Sequence, residues 1–143
     1  MFNLGERINK IVSTKIKGKD LKDIAILDEN NEDVNVVYFG TLEGSIGVII
    51  QLTKDTYELL SVLQEHILKK VMPNGGFEYS KWRAIKDGFV SEDSIGFVEG
   101  SILSEFLNFD DIYRKEFLKE INYPWKKSHA EIINIIETLL KYH

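Results

Sequence analysis

The side chains that most often do chemistry in proteins occur in this sequence, but not in the spacing of a reactive or metal-binding motif. The three histidines, His66, His129 and His143, form neither a His-x-x-x-His pair nor a His-Glu-x-x-His pair. There is no cysteine, which excludes disulfides, thiolate nucleophiles and thiolate zinc sites. We therefore expect no metal ion and no cofactor.

Two other patterns only superficially match binding loops. The acidic cluster at 28–33 lacks the glycine and the glutamate that a calcium loop needs at its sixth and twelfth positions. Gly40, Gly44 and Gly47 are not spaced as a dinucleotide fingerprint, so we expect Gly44 to take a positive φ in a hairpin and Gly47 to admit a close neighbour. No serine lies in a Gly-x-Ser-x-Gly elbow. The sequence therefore predicts a protein without a catalytic site.

Composition and charge restrict the class of protein further. The 143 residues suffice for one domain, or for one small domain with part of a neighbour. With 43% hydrophobic and 29% charged residues, the balance is that of a globular protein. No apolar run approaches the ~18 residues of a membrane span, so we expect no membrane partner. The absence of cysteine suits the cytosol or the nucleus, and we expect the protein in both.

A basic run early in the chain is the one candidate for contact with nucleic acid. Its members are Lys15, Lys17, Lys19 and Lys22. The chain as a whole carries 18 basic and 23 acidic residues, a net charge of −5 that repels phosphate at long range. Lysines on an exposed strand also commonly prevent edge-to-edge pairing. A solvated strand edge is therefore favoured over a nucleic-acid surface.

The first part of the chain has the pattern of an antiparallel sheet. Residues 7–17 are rich in β-branched side chains, and residues 23–27 form a second short apolar run. Two longer apolar runs, 34–41 and 45–52, flank a Leu-Glu-Gly tip and predict a hairpin. About four strands in about fifty residues is the content of one antiparallel propeller blade.

After residue 53 the hydrophobic period becomes helical. Thr53 can cap the first helix, and Ser128 with Glu131 has the spacing of a capping box. The predicted helices cover residues 54–71, 101–109, 111–121 and the segment after Ser128. Most of the aromatic residues between 77 and 125, Trp82 among them, are expected to form their core, and Trp125 is the exception that could instead contact a partner.

These patterns together predict an α+β fold, with an N-terminal propeller blade over 1–52 and a C-terminal all-helical domain over 53–143. A single blade cannot bury both of its faces, so its second face needs the helices or another chain. The exposed blade edges could also pair with a second copy of the chain.

Four motifs follow one another along the chain in a specific order. They are Phe2-Asn3-Leu4-Gly5-Glu6, the ten residues from Tyr38 to Gly47, Ser80-Lys81-Trp82-Arg83, and the twelve residues from Gly96 to Leu107. In this order, with a helix between the second and the third, they resemble the C-terminal region of the CPSF A subunit family. That family includes damage-specific DNA-binding proteins, the large subunit of the cleavage and polyadenylation specificity factor, and the propeller subunit of splicing factor 3b. The Trp-Arg and Gly-Phe pairs are most similar to the damage-specific proteins.

The resemblance implies a scaffold built of three β-propellers and a helical domain, which serves as an adaptor of cullin-RING ubiquitin ligases in DNA repair. This chain would supply the last blade and the helical domain. Its partners would be substrate receptors and the remaining propellers, and nucleic acid only indirectly. An RNA-processing scaffold of the same family, in pre-mRNA cleavage or splicing, is an alternative. Direct nucleic-acid binding through the run from Lys15 to Lys22 is another.

The residues carried over as receptor-facing lie at two places in the predicted blade. Arg7, Asn9 and Lys10 belong to the first strand, and Leu42 belongs to the hairpin tip. Asn9 matches the family and Leu42 is a conservative change. Arg7 and Lys10 stand where apolar residues are usual, so a partner must accommodate two extra positive charges.

Overall fold

An antiparallel sheet followed by four helices forms the part of the chain that the structure describes. This computed structural model describes residues 4–30, 32–70, 83, 85–86, 89–90 and 96–142. The strands are β1 (Ile8–Lys17), β2 (Asp33–Thr41), β3 (Ile46–Ile50), β4 (Ile85–Lys86) and β5 (Phe89–Val90). The helices are α1 (Lys54–Lys70), α2 (Gly100–Asn108), α3 (Asp111–Glu120) and α4 (His129–Leu140). The predicted α+β fold is confirmed, whereas the prediction for Trp82 falls outside the described residues.

The sheet has the strand order β1-β2-β3, and β2 is its central strand. Val34 and Val36 of β2 are fully buried, while Asn35 between them is exposed, as the alternation of a strand requires. The tip between β2 and β3 has Gly44 at φ 94°, the conformation expected of it. A Cβ at Gly47 would lie 2.1 Å from the Phe39 ring, so the close neighbour predicted for this glycine is that aromatic side chain.

Two predictions of local secondary structure were wrong. Residues 23–27 contribute two isolated bridges, Ala25 to Leu52 and Leu27 to Val34, rather than a fourth strand. The turn that follows the 3-10 helix (Lys19–Leu21) buries Ile24 and Ala25 of this segment without a strand. The helical part also contains a short hairpin, because β4 pairs with β5.

Three of the four described helices, α1, α3 and α4, begin at a residue whose side chain caps them. Thr53 Oγ1 accepts an N–H bond in the first turn of α1, at 3.4 Å. Asp110 does the same for α3 at 2.7 Å. At the start of α4, Ser128 N–H donates to Glu131 Oε2 at 2.7 Å, and Glu131 N–H donates to Ser128 Oγ at 3.3 Å. This reciprocal pair is the predicted capping box.

One hydrophobic core joins the sheet to the helices. Its largest fully buried side chains include Phe106 of α2 and Phe117 of α3, whose ring centroids lie 6.2 Å apart. Val34 and Val36 on one face of the sheet belong to the same core as these helix residues. The other fully buried aliphatic side chains are Leu21, Val34, Val36, Leu60, Leu63, Ile67, Ile132 and Ile136.

Phe106→Ala should lower the free energy of unfolding by about 3–5 kcal/mol, because the ring is fully buried and its loss leaves a cavity. Urea unfolding followed by circular dichroism measures the change. Ile112→Ala on the neighbouring helix α3 is the matched control, since Ile112 is 72% exposed and its truncation should cost less than about 0.5 kcal/mol. Equal losses for the two variants would contradict this description of the core.

Candidate docking surface

The four residues predicted to face a partner lie together at one end of the sheet. The Leu42 N–H donates to the Arg7 carbonyl at 2.9 Å, which joins the hairpin tip to the residue before β1. Lys10 pairs with Gly40 of β2. All four side chains are exposed, and Leu42 is 61% exposed. We call Arg7, Asn9, Lys10 and Leu42 the sheet end.

A β-bulge in β1 sets the direction of the sheet-end side chains. Ile8 pairs with Thr41 and Lys10 pairs with Gly40, so β1 has one more residue here than β2. Thr41 and Gly40 are adjacent and face opposite sides of the sheet, and therefore Ile8 and Lys10 do as well. Arg7 precedes Ile8 and lies on the opposite side from it. The two cations, three residues apart, are thereby placed on the same face.

The hairpin tip that carries Leu42 is held by several hydrogen bonds. The Thr41 N–H donates to the Ser45 carbonyl at 2.9 Å, and the Ser45 N–H donates to Thr41 Oγ1 at 3.0 Å. Ser45 Oγ donates to Glu6 Oε1 at 3.3 Å, which connects the tip with the segment before β1. Leu42 is thus exposed on a supported turn.

Exposed apolar side chains lie on both faces of the sheet near the sheet end. Val12 and Ile46 share the face of Lys10 and form with it a mixed apolar and basic surface, which is typical of a site for another protein chain. The exposed apolar side chains in the sheet and its tip are Ile8, Ile11, Val12, Leu42, Ile46 and Ile49, each between 42% and 73% exposed.

The candidate nucleic-acid residues are only partly neutralised within the chain. Lys15 Nζ lies 3.2 Å from Asp28 Oδ2, so its charge is neutralised within the chain. The remaining three lysines line two shallow clefts of about 310 and 180 Å³ beside the 3-10 helix. The smaller cleft has as many lysines as carboxylates in its lining, whereas the larger is lined by Lys17, Lys19 and Lys22 with Glu32 as its one carboxylate. The larger cleft therefore keeps a local positive charge.

The histidines have structural neighbours. His66 Nδ1 lies 2.9 Å from the Val62 carbonyl one turn earlier in α1, and His129 Nε2 lies 3.4 Å from Asp111 Oδ1. Among the described residues, no three side chains of the metal-ligating types come together. Within the same residues, the helices are all too short or too polar to cross a bilayer.

Comparison with known proteins gives the family. The sequence profile described as the CPSF A subunit region matches residues 1–108, about three quarters of the chain. The chain belongs to this family. Its relatives include DNA damage-binding protein 1 of Solanum lycopersicum, 26% identical over 142 residues, and DNA damage-binding protein 1b of Arabidopsis thaliana, 25% identical over 142 residues. DNA damage-binding protein 1 of Oryza sativa subsp. japonica is 23% identical over the same length.

The matches cover almost all of this CPSF A family chain but little of the relatives. The alignments span 99% of this chain and 12% of each relative. What is common to this chain and these relatives is therefore one segment of much longer proteins.

The sequence indicated the sheet-end residues but not their arrangement. The bulge was not predicted, since no glycine or proline marks it in β1. Gly40, which pairs with Lys10, was the one signal in the sequence near this site, because a glycine inside a strand often marks a place where another group can approach closely.

Asp28→Asn should reduce the pH dependence of stability in acid. Burial opposes ionisation of Asp28, but hydrogen bonds from Lys15 and from the Asp33 and Glu32 N–H groups outweigh it and hold the pKa of Asp28 below its ordinary value of 3.8. The ionised carboxylate therefore stabilises the fold above that value, and this stabilisation is lost as the pH falls through the lower pKa of the folded state.

Urea unfolding at pH values from about 5 to 2 tests this sign, because the lost stabilisation should appear below about pH 4. The fall in stability should be shallower for Asp28→Asn than for the wild type. Asp20→Asn, at an exposed carboxyl of the nearby 3-10 helix, should behave like the wild type. A slope unchanged by Asp28→Asn would contradict the role of this carboxylate.

Proposed function

We propose that this chain is a non-catalytic scaffold segment of a cullin-RING ubiquitin ligase adaptor, and that its sheet end contributes to the docking of substrate receptors. The observation that carries the proposal is that Arg7, Asn9, Lys10 and Leu42 lie together at one exposed end of the sheet. Family membership and the DNA damage-binding relatives support it. The proposal places the protein in the nucleus and the cytoplasm and connects it with DNA repair.

The apolar content of the surface supports docking of protein rather than nucleic acid. Leu42 and Ile46 are 61% and 73% exposed, and aliphatic side chains at this exposure gain free energy when a partner covers them. The alternative of direct nucleic-acid binding through Lys15 to Lys22 lacks such apolar support, and Asp28 neutralises Lys15 within the chain.

An RNA-processing scaffold is the second candidate function. The family description, CPSF A subunit region, favours it. In that case the same surface would bind proteins of a pre-mRNA cleavage or splicing assembly. The two functions differ in the partner and not in the type of site.

Leu42→Asp should leave the fold intact and abolish partner capture, because it places a charge in the apolar surface at an exposed tip. The wild-type and variant chains are immobilised and incubated with nuclear extract, and retained proteins are identified by mass spectrometry. Ile112→Asp is the control, since it introduces the same charge at an equally exposed aliphatic residue of α3.

Ligase substrate receptors that are retained by the wild type and by Ile112→Asp, but not by Leu42→Asp, would support the adaptor. Cleavage or splicing factors with the same dependence on Leu42 would assign the chain to RNA processing. Capture of receptors that is insensitive to Leu42→Asp in a folded variant would refute docking at the sheet end.

A further inference from the structure

An open slot crosses the sheet beside the sheet end. Lys10, Gly40 and Ile46 lie side by side on β1, β2 and β3, so their side chains share one face. Nothing lies within 4 Å of the position that a Cβ of Gly40 would occupy. The slot therefore has backbone as its floor and Lys10 and Ile46 as its walls, about 10 Å apart by strand spacing.

The slot lies where the buried part of this face of the sheet ends. On the same face, Val36 is fully buried, Tyr38 is half-buried, and Ile46 beyond them is 73% exposed. Val12, which pairs with Tyr38, is 46% exposed and continues the apolar wall towards the core. A single aliphatic side chain fits a cleft of this width and chemistry.

Positive charge flanks the slot on one side only. The bulge puts Arg7 on the same face as Lys10, and neither has an ion-pair partner among the described residues. The acids nearest in sequence are Glu6, whose carboxylate accepts from Ser45, and Glu43 at the hairpin tip. A partner that covers this surface must supply carboxylates, since desolvating two unpaired cations is costly.

We propose that the slot over Gly40 binds a linear segment of a partner protein, with an aliphatic side chain between the walls and acidic residues beside it that pair with Arg7 and Lys10. This proposal rests on the proposed docking function and specifies the chemistry of the partner. A second copy of the chain fits less well, because its own Arg7 and Lys10 would face the cations of the first.

The probe is a phage-displayed library of random linear dodecapeptides selected on the immobilised wild-type chain. Enriched peptides should combine an aliphatic residue with neighbouring Asp or Glu. The double substitution Arg7→Gln with Lys10→Gln should lower the affinity for a synthetic copy of an enriched peptide roughly tenfold or more. The affinity of the wild-type chain for the same peptide should fall with added salt. Lys119→Gln with Lys126→Gln, at two exposed lysines of the helical part, is the charge-matched control.

Gly40→Val tests the slot itself. Valine suits a strand and has free space at this position, so circular dichroism should show an unchanged fold while peptide binding is lost. The enriched peptides could instead be aliphatic and lack acidic residues. If Leu42→Asp abolishes their binding but Arg7→Gln with Lys10→Gln does not, the charge proposal is overturned and docking at the sheet end still stands. Peptides insensitive to Gly40→Val would overturn the slot. If no peptide is selected, or none depends on Leu42, both proposals fail.

Discussion

The structure depends on the burial of one face of a very small sheet. Val34 and Val36 on β2 are fully covered, and with them the helices α1, α2 and α4 share a single core. Three strands alone would be marginal, since a sheet needs packing against another layer to be stable in water. The core buries the middle of this face, but most of the opposite face and the sheet end remain exposed to solvent. The exposed apolar residues lie in these uncovered parts of the sheet.

Two of the motifs that carry the family resemblance meet in space and serve this packing. Arg83 of the Trp-Arg motif forms an ion pair with Glu99 of the motif that opens α2, and both side chains are about 15% exposed. Gln64 of α1 also binds there, because its Oε1 accepts the Glu99 N–H at 2.7 Å. A pair this well shielded is costly to break on one side. The ion pair therefore fixes Arg83 to the start of α2, and the Gln64 hydrogen bond joins the same point to α1.

Elements with local signals could be predicted from the sequence. The starts of α1 and α4 followed from Thr53 and from the Ser128 and Glu131 capping box, and the main hairpin followed from Gly44. Residues 23–27 were misassigned because a short apolar run is compatible with either a strand or a buried turn, and packing against the helices decided between them.

The site was predicted only as a set of residues. Arg7, Asn9, Lys10 and Leu42 came from the resemblance, and local propensity says nothing of their relative placement. The pairing of Lys10 with Gly40 depends on register, which is set by contacts between strands rather than by either strand alone. The slot over Gly40 likewise forms only when the registers of all three strands place Lys10, Gly40 and Ile46 side by side.

The bulge between Ile8 and Lys10 makes the surface of β1 depend on strand pairing in a way that its composition hides. If β1 kept Asn9 but paired without the bulge, Ile8 would share the face of Lys10 and Arg7 would turn to the other side, while β2 and β3 stayed in place. A relative without the bulge would therefore display a different surface from nearly the same amino acids. Loss or gain of such a bulge, more than substitution, is a means by which such a scaffold could exchange one group of partners for another.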